Sequence, residues 1–220
     1  MLKDASPMGI LPRMLTPRVI LAVLALSAAL PSAAQAQTPL TPERYAALDG
    51  AYTGILPLDA SSPSGSDYAA ARTACRSMDR ADPLLAALRR SCKSTVKFLE
   101  ALQTFNGCSS IASCGKRSQP ARIAVNGLMR HDRAANKALR SAVLVKGCSR
   151  ELRTTKAELH QLERYRGYFR SFQRLAKTRS PKVARRLLRQ ENAINRAMGD
   201  DRSAADVRSD FRKACAPPAT

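Results

Sequence analysis

The chain has 220 residues and carries 37 Lys or Arg against 17 Asp or Glu, a formal charge of +20. That length suits one domain with a core of its own, and a cation excess this large points any charged partner towards anions. Two histidines supply a catalytic or metal centre poorly, whereas six cysteines form an even set.

The first 36 residues have the order of a secretory signal peptide. Lys3, Arg13 and Arg18 precede a twelve-residue apolar run, residues 19–30, which ends at Pro31 and leads into Ser32-Ala33-Ala34-Gln35-Ala36. Small residues three and one places before the junction predict cleavage after Ala36, with the nearer alternative after Ala34. The run is too short to cross a bilayer, which takes about 20 apolar residues, and no later stretch qualifies. All six cysteines follow the cut, so a secreted or periplasmic location and disulfide bonding are expected together. The mature chain keeps 34 basic and 16 acidic residues, a net +18. Residues 37–80 hold four basic and five acidic residues, so the remainder carries the whole excess.

Residues 37–66 read as a flexible leader with one short helix. Thr41-Pro42-Glu43 supplies a cap, a proline at the first position and an acid in the first turn. Asp49-Gly50 is expected to end that helix near Leu48, and residues 56–66, with Pro57, Pro63, Gly65 and several serines, to form a surface loop. The disulfide-bonded helical domain then spans residues 67–216, and residues 217–220 form a tail. Its helices are expected over residues 67–79, 83–106, 120–146, 149–178, 181–198 and from Ser203 to Cys215. Asp82-Pro83 and Ser180-Pro181 mark starts, and Gly147 a C-terminal cap. Residues 107–119 are expected to be a cysteine-containing loop. Leu85, Leu88, Cys92, Val96, Leu99 and Leu102 repeat at the three-and-four spacing of one helix face. Strand-like alternation is absent. Short connections make neighbouring helices antiparallel, which gives an all-α, up-and-down antiparallel bundle of about five core helices plus a short N-terminal helix, stapled by three disulfides.

Six cysteines allow fifteen pairings. Placing each by its height along an idealised bundle favours Cys75 with Cys148, Cys92 with Cys215, and Cys108 with Cys114, because bridged Cα atoms lie within about 7 Å. The nearest alternative pairs Cys75 with Cys92.

No constellation for chemistry stands out. His160 and Glu163 lie one turn apart, but three or four metal ligands are needed and no second pair supplies them. His131-Asp132 lacks a nucleophile elbow, and Gly115-Lys116-Arg117-Ser118 lacks the first glycine and the hydroxyl residue of a phosphate loop. No metal, cofactor or catalytic residue is assigned. The unusual stretch is residues 164–189, with ten Arg or Lys, no acid, and Tyr165, Tyr168, Phe169 and Phe172 interleaved. Helical spacing puts Arg166, Arg170, Arg174 and Lys177 on one arc and Leu162, Tyr165, Phe169, Phe172 and Ala176 on another that faces the core. Lys182, Arg185, Arg186 and Arg189 form a second cluster after the turn. These eight are the candidate anion-binding residues, towards an anionic polymer, lipid head groups or an acidic protein. The reading is a non-enzymatic exported module that binds a polyanionic surface or acidic partner. Two alternatives remain: a structural or interaction module of the cell envelope whose charge is incidental, and an enzyme whose site sequence does not reveal.

Overall fold

The computed structural model describes residues 37–59, 62–197 and 203–217. The expected signal peptide, Met198, Gly199 and the last three residues of the tail lie outside them. Among the described residues the chain is helical with no strand, and its helices pack as an antiparallel bundle. In order they are α1 (Pro42–Ile55), α2 (Gly65–Ser77), α3 (Pro83–Asn106), α4 (Ile111–Ser141), α5 (Lys146–Glu151), α6 (Lys156–Thr178), α7 (Pro181–Ala197) and α8 (Ala204–Cys215). α3, α4 and α6 pack on one another around the main core, α7 lies on α6, and α1, α2, α5 and α8 close the other side.

Local chemistry sets most boundaries. Asp82 Oδ1 accepts from the Leu84 and Leu85 N–H groups to start α3, and Ser203 with Asp206 forms a capping box on α8. α1 continues through Asp49-Gly50 to Ile55, past its expected end. Burial of Leu48, Ala51 and Ile55 outweighs the cost of a helical glycine, about 1 kcal/mol. The expected loop after it is packed as well: Leu56–Asp59 forms a 3-10 turn in which Leu58 is fully buried, and Gln103 donates to the Pro63 carbonyl at 2.8 Å.

Of the loop expected over residues 107–119, only residues 107–110 lie outside a helix. Ser110 caps α4, which begins at Ile111 and runs through Pro120. Cys114, Ser118 and Ala121 are buried on its inner face, and this burial holds a helix that proline alone would end. α4 stops at Ser141, five residues early, because the chain turns to pair with Thr38: the Thr38 N–H donates to Val143 O at 3.0 Å, and the Val145 N–H to Thr38 O at 3.1 Å. Val143 takes a left-handed φ of 47° in that turn. The helix expected over residues 149–178 is two helices. Gly147 lies inside α5 rather than capping α4, and a second capping box, Thr155 with Glu158, restarts the chain as α6. Between them Asn136 clamps Thr154, donating to its carbonyl at 2.6 Å and accepting from its N–H at 2.9 Å.

Two of the three expected disulfides are corrected. Cys108–Cys114 is present, with Cα atoms 5.2 Å apart, whereas the other bridges are Cys75–Cys92 at 5.7 Å and Cys148–Cys215 at 4.6 Å. The expected Cys75–Cys148 and Cys92–Cys215 bridges assumed a tight turn between α2 and α3. Instead the link between those helices lies alongside the start of α3, where Arg89 donates to Met78 O at 3.1 Å, so the end of α2 sits opposite Cys92. Cys148 rides on the short α5, which packs on α8 and so meets Cys215.

The main core is aromatic. Phe98 and Phe105 of α3 meet Tyr165, Tyr168, Phe169 and Phe172 of α6 mostly edge to face, with centroids 5.1 to 6.4 Å apart. Val96 and Leu99 are fully buried, but Leu88 only partly. Leu99→Ala should therefore cost roughly 2–5 kcal/mol in denaturant unfolding, and Arg170→Ala only about 0.5 kcal/mol either way. Non-reducing peptide mapping should join the Cys75 peptide to the Cys92 peptide; a Cys75–Cys148 peptide would contradict this framework.

Candidate functional site

The aromatic face of α6 fixes where its cations go. With Tyr165, Tyr168, Phe169 and Phe172 buried, Arg170, Arg174 and Lys177 are exposed and Arg166 is half-buried. On α7, Leu187 and Ile194 are buried against α6, which leaves Lys182, Arg185, Arg186 and Arg189 in solvent.

Three contacts define the seam between the two helices. Gln161 donates to Ile194 O at 3.5 Å and Arg164 to Ala193 O at 3.4 Å, and a side chain on Gly167 would meet the Gln190 amide at 3.1 Å. Counted from that seam at about 100° per residue, Arg170, Arg174 and Lys177 continue on the Gly167 side of α6. Lys182, Arg186 and Arg189 lie on the Gln190 side of α7. These six share one face. Arg166 lies at its α4 border, and Arg185 turns towards the far side of α7.

α4 extends the face, a contribution that sequence reasoning missed. Gly115 comes so close to α6 that an added Cβ would sit 2.3 Å from that of Ala176. The same count from Gly115 carries the exposed side chains of Lys116, Arg130, Arg133 and Lys137 along the outer side of α4. Half-buried Arg122 faces the junction of α4 and α6, and its Nε–H has no acceptor among the described residues. The available signal was the three-and-four spacing of Arg130, Arg133 and Lys137 opposite Leu128, Ala135 and Leu139. Misplacing the start of α4 hid Lys116.

Acids are distributed differently. Glu163 is the acid this face carries among the described residues, 3.3 Å from Arg133 and 3.8 Å from His160. None of the eight candidate cations has an acidic partner among the described residues. Across the molecule, Arg44 pairs with Asp82 at 2.6 Å and Arg72 with Glu100 at 2.8 Å. Asp49 of α1 accepts from both Arg208 and Arg212 of α8 at 2.7 to 3.0 Å. Arg212 and Arg208 hold its carboxyl well below the usual carboxylate range.

A second polar cluster lies between α3 and α4. Ser94 Oγ is 2.6 Å from His131 Nδ1, and Ser91 donates a short hydrogen bond to Asp132 Oδ1. This resembles parts of a catalytic triad without its wiring: Asp132 is bound to Ser91 rather than orienting the His131 ring, and Ser94 lies mid-helix, where backbone N–H groups are committed to the helix. Burial, with Arg130 and Arg90 nearby, lowers the His131 pKa. His160 is exposed, and no group of three metal-ligating side chains occurs among the described residues. No described helix is long and apolar enough to cross a membrane.

No protein-family model, curated protein or solved structure matches this chain.

Burial pushes the Asp132 carboxyl up to about 6, against a smaller lowering by its Ser91 hydrogen bond. A raised carboxyl pKa means that the folded state holds its proton more tightly than the unfolded chain. Stability is thus fullest below about pH 4 for this group and falls as pH rises towards 6, by about 3 kcal/mol. Asp132→Asn should flatten that part of the profile in urea unfolding between pH 4 and 7. An unchanged slope would show that Asp132 is not its source.

Proposed function

We propose that the protein is a non-enzymatic, exported helical module that binds a polyanionic ligand through the face built on α4, α6 and α7. The reading rests on the clustering of unpaired cations: the candidate residues lie on two neighbouring helices and have no acid partner among the described residues, whereas Arg44, Arg72, Arg208 and Arg212 elsewhere pair with Asp82, Glu100 and Asp49. Arginine predominates among them, and its planar fork matches phosphate, sulfate and carboxylate oxygens. Three disulfides fit an oxidising compartment, in keeping with the signal-like leader.

The mature, oxidised protein should stay bound to heparin at about 0.15 M salt. Replacing Arg166, Arg170, Arg174 and Lys177 together by alanine should move elution to much lower salt. Replacing Arg90, Lys93 and Lys97, which are exposed on α3, should move it little. Equal shifts would mean that overall charge, rather than this face, drives retention, and wild-type elution well below that salt would remove the reading.

A further inference from the structure

Resting on that reading, we infer that the polyanion is the anionic headgroup layer of a lipid bilayer, on which the face docks flat. The shape of the face suits a surface rather than a strand. The α6 row from Arg166 to Lys177 covers eleven residue steps, about 16 Å at 1.5 Å per residue. With α4 and α7 at interaxial distances of about 8–10 Å, the cations spread over about 20 Å in the other direction. A linear anion engages one row and leaves the others in water, whereas a headgroup layer meets all three.

Ile123 adds an apolar contact to this face. It is 55% exposed, the most exposed large apolar side chain among the described residues. Counted from Gly115, it stands on the outer side of α4 between Lys116 and Arg130. Against a sugar-phosphate or sulfated chain an isoleucine there gains nothing. Against a bilayer it reaches the boundary between headgroups and acyl chains, while flanking Lys and Arg keep their charges at the phosphates. The aromatic rings of α6 are buried, so the face also lacks the stacking platform with which single-stranded nucleic acid is held.

The test is co-sedimentation of the mature, oxidised protein with vesicles of phosphatidylcholine alone or with about one-third phosphatidylglycerol, in parallel with heparin and duplex-DNA columns at the same salt. The expected result is binding to the anionic vesicles and not to the neutral ones, unmoved when inorganic phosphate replaces chloride at equal ionic strength. Ile123→Ser should lower the vesicle partition coefficient about threefold or more, from the lost apolar area, with heparin retention and thermal melting unchanged. Retention on heparin or DNA without vesicle binding would overturn the lipid inference and leave the broader reading standing. Failure on both would overturn both. Selective displacement by inorganic phosphate would assign the face to free phosphate groups, and vesicle binding indifferent to Ile123→Ser would also overturn the inference.

Discussion

The edge-to-face packing of α3 and α6 aromatic rings is the interaction on which the rest of the structure depends. Phe98 and Phe105 present rings that Tyr165, Tyr168, Phe169 and Phe172 meet from one side of α6, and such pairs contribute about 0.5–1.5 kcal/mol each beyond their buried area. Once this face is fixed, no rotation of α6 is left that would hide its cations. The basic row is outward because the aromatic row is inward. Gly115 and Ala176 then bring α4 alongside, and α4 and α7 flank α6 in a layer whose outer side is free of α3.

That arrangement separates two uses of arginine. Arg208 and Arg212 converge on Asp49 and tie α8 to α1; Arg44 ties α1 to the start of α3, and Arg72 ties α2 to its far half. These arginines act between helices. The cations of α6 and α7 make no such ties to acids among the described residues. Their self-repulsion costs the folded state some stability, a cost that an anionic ligand would relieve. Salt dependence should therefore differ across the molecule, since exposed unpaired charges respond to screening more than half-buried, hydrogen-bonded pairs do.

The helices, their amphipathic faces and the orientation of the α6 cations were legible because each is written in local periodicity and capping residues. The failures came where distant burial overrode a local signal. Gly50 looks like a stop and Pro120 like a start, yet Ile55 is buried beyond the first and Cys114 and Ser118 are buried in helix that precedes the second. Val143 shows the reverse: a helical-looking stretch is interrupted because Thr38, more than a hundred residues earlier, supplies a bridge. The Thr155–Glu158 capping box was present in the sequence and marks the true start of α6. Two of the three disulfides were misassigned for a geometric reason, since idealised heights ignore a link that runs back along its own hairpin. The α4 part of the basic face was hidden for yet another reason. Its cations are spread among neutral residues, and only packing beside α6 makes them neighbours.

Covalent and non-covalent restraints are also divided. Cys75–Cys92 joins α2 to α3, Cys148–Cys215 joins α5 to α8, and Cys108–Cys114 fixes the first turn of α4. No bridge reaches α6 or α7. α6 is secured by its aromatic face, but α7 rests on α6 through few buried side chains, chiefly Leu187 and Ile194 with Val183 and Ala184 partly covered. Regions with few buried apolar contacts open at lower free energy than the global unfolding transition. α7 therefore stands at the low-stability end of the bundle while holding three of the six α6 and α7 cations that share the outer face. A ligand spanning α4, α6 and α7 would add its binding energy where the scaffold has no disulfide, so binding and the ordering of α7 are thermodynamically linked.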